Sequence, residues 1–114
     1  MQVKFYHDLY VSETWMNKKK KIRKKLQENR LQPAVYVITL AGGEQNNLEF
    51  YSSMLLKQHI FDREELFVVG IADGYMDALY MVERITDDVF RETGSAEIRQ
   101  YLLARQDEYE RTGR

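Results

Sequence analysis

The stretch Asn47-Leu48-Glu49-Phe50-Tyr51-Ser52-Ser53-Met54-Leu55-Leu56-Lys57-Gln58-His59 separates two apolar runs, and its secondary structure decides how those runs pair. Leu48, Tyr51, Met54, Leu55 and Leu56 fall on one side of a helical wheel, which predicts a well-buried helix over 47–59. The runs on either side, Ala34 to Leu40 and Leu66 to Ile71, are short, nearly continuous and rich in β-branched residues. That is the pattern of strands buried on both faces, which are usually parallel. A helix between two such strands implies a right-handed crossover and a parallel pair.

Working outward, Val3 to Tyr6 alternates Val3 and Phe5 with Lys4 and Tyr6, a half-exposed strand suited to a sheet edge. Trp15, Ile22 and Leu26 form a narrow stripe that predicts a helix over 13–31, stopped by Pro33. Ala78, Val82, Ile85 and Val89 recur at helical spacing and predict a helix over 75–91. Gly94 suits the left-handed position that ends this helix, and Ser95 suits the N-cap of a last helix from Ala96 to about Tyr109. Residues 110–114 are polar and read as a frayed tail. The expected fold is α/β, in βαβαβαα order: a small three-stranded, mainly parallel sheet of Rossmann-like topology with helices packed on it as two or three layers. All 114 residues are expected to form one domain. With the weakest strand at one edge, the other edge is strongly apolar, which favours a homodimer unless the last helix or His7 to Val11 covers it.

Composition narrows the function classes. The chain has 17 Lys and Arg against 18 Asp and Glu, a net charge of -1, and no cysteine. Disulfide scaffolds, thiol nucleophiles and zinc-thiolate sites are therefore excluded. No apolar stretch approaches the roughly 20 residues of a membrane-spanning helix, and the first residues lack an apolar signal core, so a cytoplasmic protein without a membrane partner is expected. No cofactor is expected.

In open parallel sheets, ligands bind outside the carboxyl ends of the strands. The loops after the second and third predicted strands would then lie side by side. Gly42, Gly43, Glu44, Asn46 and Asn47 come from one, and Asp73, Gly74, Tyr75 and Asp77 from the other. Both combine glycine with carboxylates or carboxamides before a predicted helix, a setting for a phosphate, a carboxylate or a hydrated divalent cation. The same residues are ordinary turn and cap residues, and neither loop matches a GxGxxG or Walker A pattern.

Val68-Val69-Gly70-Ile71-Ala72-Asp73-Gly74-Tyr75-Met76-Asp77-Ala78-Leu79 resembles the first motif of the toprim domains of bacterial primases. In that family a strand delivers an acidic residue, usually glutamate and here matched by Asp73, that helps to hold magnesium. The resemblance covers about a dozen residues. A toprim site also takes a carboxylate pair from a later strand, whereas this chain offers only Asp87-Asp88 in a predicted helix, so the activity is not carried over.

The most unusual segment is Lys18, Lys19, Lys20, Lys21, Arg23, Lys24 and Lys25, seven cations within eight residues. Residues 1–33 carry a net charge of +6 and residues 34–114 a net of -7, so near neutrality conceals a strong dipole. Such a face suits an acidic protein partner, while nucleic acid would be held only through phosphates and without base reading. The expected function is binding, as a self-associating interaction or regulatory module. The alternatives are a divalent-metal or phosphate-ligand enzyme using Glu44, Asp73 and Asp77, and nonspecific nucleic-acid binding through the lysine run.

Overall fold

A computed structural model describes residues 2–28, 30, 32–41, 47–58 and 65–113. In chain order its elements are β1 (Gln2–Val11), a 3-10 helix (Glu13–Lys18), α1 (Lys19–Gln27), β2 (Val35–Leu40), β3 (Leu48–Ser52), a second 3-10 helix (Ser53–Gln58), β4 (Glu65–Asp73), α2 (Tyr75–Thr93) and α3 (Ile98–Thr112). The four strands form one sheet in the order β1-β4-β2-β3. β1 and β4 are parallel, but β2 runs antiparallel to both β4 and β3. The sheet is therefore mixed and four-stranded, which corrects the expected three-stranded, mainly parallel Rossmann-like sheet; the α/β class stands.

The correction originates in Leu48–Ser52, which is a strand and not the first half of a helix. Leu48 and Phe50 pack on the side of α2 and α3, while Tyr51 packs on the side of α1, a period of two. Helical periodicity in this stretch belongs to the 3-10 helix that follows. The two serines at the junction divert the backbone from a continuous helix. Ser52 Oγ accepts the Met54 N–H at 3.2 Å, and the buried Ser53 hydroxyl donates to the Gln32 carbonyl at 2.6 Å. β3 then pairs directly with β2, from Leu40 opposite Leu48 to Tyr36 opposite Ser52.

β2 and β4 are central because helices cover both faces of the sheet, not because they are parallel. On one face Ile22 and Leu26 of α1 pack on Phe5, Leu9, Val35, Val37, Val68 and Ile71. On the other, Ala78, Met81, Ile85 and Val89 of α2 and Ile98 and Leu102 of α3 pack on Tyr6, Ile38, Leu40, Val69 and Ala72. Each fully buried Leu, Ile or Val here contributes about 1.5–3 kcal/mol of apolar transfer, which makes these two clusters the main source of stability. The edges are β1 and β3, so the two strongly apolar strands expected to leave an open edge, β2 and β4, both lie inside the sheet, and the edge argument for a homodimer no longer applies to them.

A bulge lets α2 sit close to β4. Ile38 is opposite Gly70 and Thr39 opposite Val68, leaving Val69 as the extra residue. A Cβ at Gly70 would lie 2.7 Å from Met81 Sδ and 3.3 Å from Ile38 Cδ1, so any larger residue here would force the Met81 side chain to shift. β1 bulges further, between Phe5 and Tyr10, where it loses its pairing with β4. α3 compensates: Gln106 Oε1 accepts the His7 N–H at 2.7 Å, and Tyr109 stacks on the His7 ring at 4.5 Å.

Helix limits also move. Glu13 to Leu31 was expected as one helix, but it begins as a 3-10 helix and α1 ends at Gln27, well before Pro33. Pro33 instead occupies the second position of a turn closed by the Val35 N–H on the Gln32 carbonyl. α2 closes on Gly94, as expected, with its N–H on the Phe90 carbonyl at 2.7 Å. Ser95 is not the N-cap of α3; Glu97 is, and Ser95 Oγ accepts the Glu97 N–H at 3.3 Å. Among the described residues, no helix is long and apolar enough to cross a membrane.

Candidate functional site

Strand direction determines which predicted site residues meet. Because β2 is antiparallel to β4, its first residue, Val35, lies opposite Asp73 at the end of β4. Its last residue, Leu40, lies beyond the other end of that register and opposite Leu48. Ala41 and Asn47, which flank the loop after β2, therefore sit at the end of the sheet away from Asp73, Gly74, Tyr75 and Asp77. The described flanks of the two loops thus lie at opposite ends of the sheet. Gly42, Gly43, Glu44 and Asn46 lie outside the described residues. Asn47 is exposed and its carbonyl accepts the Ala41 N–H at 3.0 Å, a hairpin role.

The second loop does sit at a carboxyl end, that of the parallel pair β1 and β4. Gly74 takes a positive φ of 91° between β4 and α2, a turn that favours glycine, and its N–H donates to the Ala34 carbonyl. Asp77, in the first turn of α2, accepts the Asp73 N–H at 2.9 Å. This contact ties the helix start to the strand end, and a first-turn carboxylate also complements the helix dipole. Tyr75 is 57% exposed and packs its ring on Phe50 at 5.4 Å and on Tyr36 at 6.3 Å, away from any polar cluster. Met81 is buried, whereas Tyr80 is 62% exposed.

A cleft of about 1220 Å³ opens here, lined among others by Tyr10, Asp73, Asp77, Tyr80, Arg84 and Asp88. Tyr10 and Arg84 are not among the site candidates drawn from the sequence, and Asp88 figures there only in the helical Asp87-Asp88 pair. The helical period held the signal, since positions 77, 81, 84 and 88 share one stripe of α2. The Tyr10 hydroxyl donates to Asp88 Oδ2 at 2.7 Å, and the Arg84 guanidinium lies 5.4 Å from the Tyr10 ring centre. Burial, reinforced by the Asp88 carboxylate, pushes the Tyr10 hydroxyl well above its ordinary pKa, so it stays protonated and donates. Three of the lining carboxylates are structurally engaged: Asp77 by the Asp73 N–H, Asp88 by Tyr10, and Asp8 by Arg105 at 3.5 Å. Among the described residues, no group of three or more His, Asp or Glu side chains is placed to hold a metal ion. Among the described residues, β4 is followed by α2 and α3, and neither is a strand that brings a carboxylate pair to Asp73.

The lysine segment is differently placed. Lys18 ends the 3-10 helix, and Lys19, Lys20, Lys21, Arg23, Lys24 and Lys25 belong to α1, which contains no acidic residue. The buried residues of α1 are Ile22 and Leu26, which face the sheet. Arg23 folds back over the Phe5 ring at 4.8 Å and Lys18 over the Trp15 ring at 5.5 Å, while Lys20, Lys21 and Lys24 are exposed. Among the described residues, none of these lysines forms an ion pair. On the far side of the sheet, α2 carries Asp77, Glu83, Asp87, Asp88 and Glu92 against Arg84 and Arg91. The polarity between the two parts of the sequence thus becomes a polarity across the sheet, and no protein-family model, curated protein or solved structure matches this chain.

Proposed function

We propose that this chain acts by binding, as an interaction or regulatory module that docks an anionic partner protein on α1. The observation that carries this reading is a helix of cations, held to the sheet by two apolar residues, whose lysines have no ion-pair partner among the described residues. Unneutralised like charges repel one another, and an acidic surface relieves that repulsion while gaining steered association. Nucleic acid is the weaker candidate, because arginine is scarce in the segment and its one aromatic ring, Trp15, already lies under Lys18.

Fluorescence anisotropy with labelled poly-L-glutamate tests this reading. Binding at low ionic strength should fade as salt shortens the screening length to about 8 Å at 0.15 M. Replacing Lys20, Lys21 and Lys24 with glutamine should weaken it, while replacing exposed arginines of α2 should not. Absence of binding at low salt, or binding indifferent to the α1 lysines, refutes the proposal.

A further inference from the structure

Beside α1 lies a second hollow, distinct from the cleft at the end of β4. Its volume is about 260 Å³, and Trp15, Ile22, Pro33, Ala34 and Val35 supply its apolar lining. Lys18, Lys21 and Lys25 rim it on the α1 side. Lys21 and Lys25 follow at a spacing of four along α1, and Lys18 precedes them at the end of the 3-10 helix. The hollow is built by the turn from α1 to β2. Gln32 is buried, its side-chain amide donates to the Ile22 carbonyl at 3.4 Å, and its own carbonyl accepts from Val35 and Ser53. These bonds hold Pro33 and Ala34 outward, facing Trp15 across the gap.

We infer that this crevice receives one bulky apolar side chain of an acidic peptide segment, with the Lys18, Lys21 and Lys25 row holding the carboxylates on either side of it. The inference rests on the reading of α1 as a docking helix for an anionic protein and names the chemistry of the docked segment. Charge complementarity fixes the flanks of the occupant, and the apolar lining fixes its centre. An apolar cavity of about 150 Å³ already accommodates a benzene ring, so the space suffices for one aromatic or branched side chain. Lys18 to Lys25 covers about 10 Å of helix axis, the reach of about three extended residues, so acidic neighbours close to the anchor meet the lysines. A nucleobase fits less well, because its polar edges would face an apolar wall.

Trp15 is the only tryptophan of the chain, so its emission reports directly on the crevice. The probes are a short peptide of Glu and Asp with one central Phe, the same peptide with Ala in place of Phe, and a single-stranded oligothymidylate. The Phe peptide should shift Trp15 emission and bind at least about tenfold more tightly than the Ala peptide, since burying one such side chain contributes on that scale. Ala34→Leu, which fills the crevice from its rim, should remove that advantage and leave the Ala peptide unaffected. Replacing Lys18, Lys21 and Lys25 together with glutamine should weaken both peptides about tenfold or more. Equal affinities with unchanged Trp15 emission overturn the crevice and leave α1 as a docking helix. Binding of the oligothymidylate without either peptide, or of no probe at all, overturns both.

Discussion

The close seat of α2 on β4 is the tightest steric feature of the fold, and Gly70→Ala probes it. The added methyl would lie 2.7 Å from Met81 Sδ, 3.3 Å from Ile38 Cδ1 and 3.4 Å from Tyr10 Cβ. Overpacking of this kind costs about 1–3 kcal/mol. Removing glycine's backbone freedom from a strand returns about 0.5–1 kcal/mol. The expected net effect is a loss of about 1–2 kcal/mol. Met81→Ala, at a site only 5% exposed, should by itself cost about 2–5 kcal/mol through the cavity it opens. The two changes touch the same space, so they should not add. In the double variant the alanine at 70 projects into room left by the missing thioether, and its loss should be smaller than the sum by about 1 kcal/mol or more. Urea unfolding followed by far-UV circular dichroism measures all four corners of the cycle. Additivity within about 0.5 kcal/mol, or a stabilised Gly70→Ala, would falsify the close approach at the bulge.

Two further outcomes follow from the face occupied by α3. Burial pushes the Tyr6 hydroxyl up to about 12, with Asp8 adding to the effect and Arg105 opposing it, and Tyr10 is also raised. In the unfolded chain these groups lose their protons first, near pH 10, so stability should be complete below that pH and decline from about pH 10 towards 12. Tyr6→Phe should make that decline shallower in thermal melts across the alkaline range. It should also leave stability near pH 7 within about 0.5 kcal/mol of the parent or above it, because among the described residues the buried Tyr6 hydroxyl, though near Arg105, makes no hydrogen bond of good geometry. An unchanged alkaline slope would contradict the assignment. Separately, Gln106→Ala deprives the His7 N–H of its acceptor and should cost about 1 kcal/mol. Hydrogen exchange should then show faster exchange at His7 with little change at Val68 and Val69; no change at His7 would show that α3 does not close the β1 bulge.

Much of this architecture was legible because it is written in local periodicity. α2 was read almost end to end, since Ala78, Ile85 and Val89 repeat at helical spacing and are buried in that order. The two apolar strands were read as buried on both faces, and so they are. What failed was the step from burial to direction. Burial of both faces requires only helices above and below the sheet, which a mixed sheet provides as well as a parallel one. Leu48–Ser52 was misread because five residues cannot separate a period of 2 from one of 3.6 when a short helical segment follows at once. The bonds that settle it, Ser53 to the Gln32 carbonyl and the ladder to β2, join residues far apart in the chain, and no local pattern registers them.

The same distinction separates the two candidate sites. A site assembled from two loops depends on both strands pointing the same way, so one misassigned segment separated Asn47 from Asp73 by the length of the sheet. The lysine row depends on one helix only. Trp15, Ile22 and Leu26 had to face the sheet, and α1 then had to turn its cations outward whatever the strand order. What the sequence concealed was the neighbour of that helix. The turn at Gln32 and Pro33 brings apolar walls beside Lys18, Lys21 and Lys25, converting a charged surface into one that discriminates between acidic segments by the side chain at their centre. Charge alone attracts any polyanion, whereas charge around an apolar hollow rejects those that have nothing to place in it, and that difference in affinity is the basis of a specific partner.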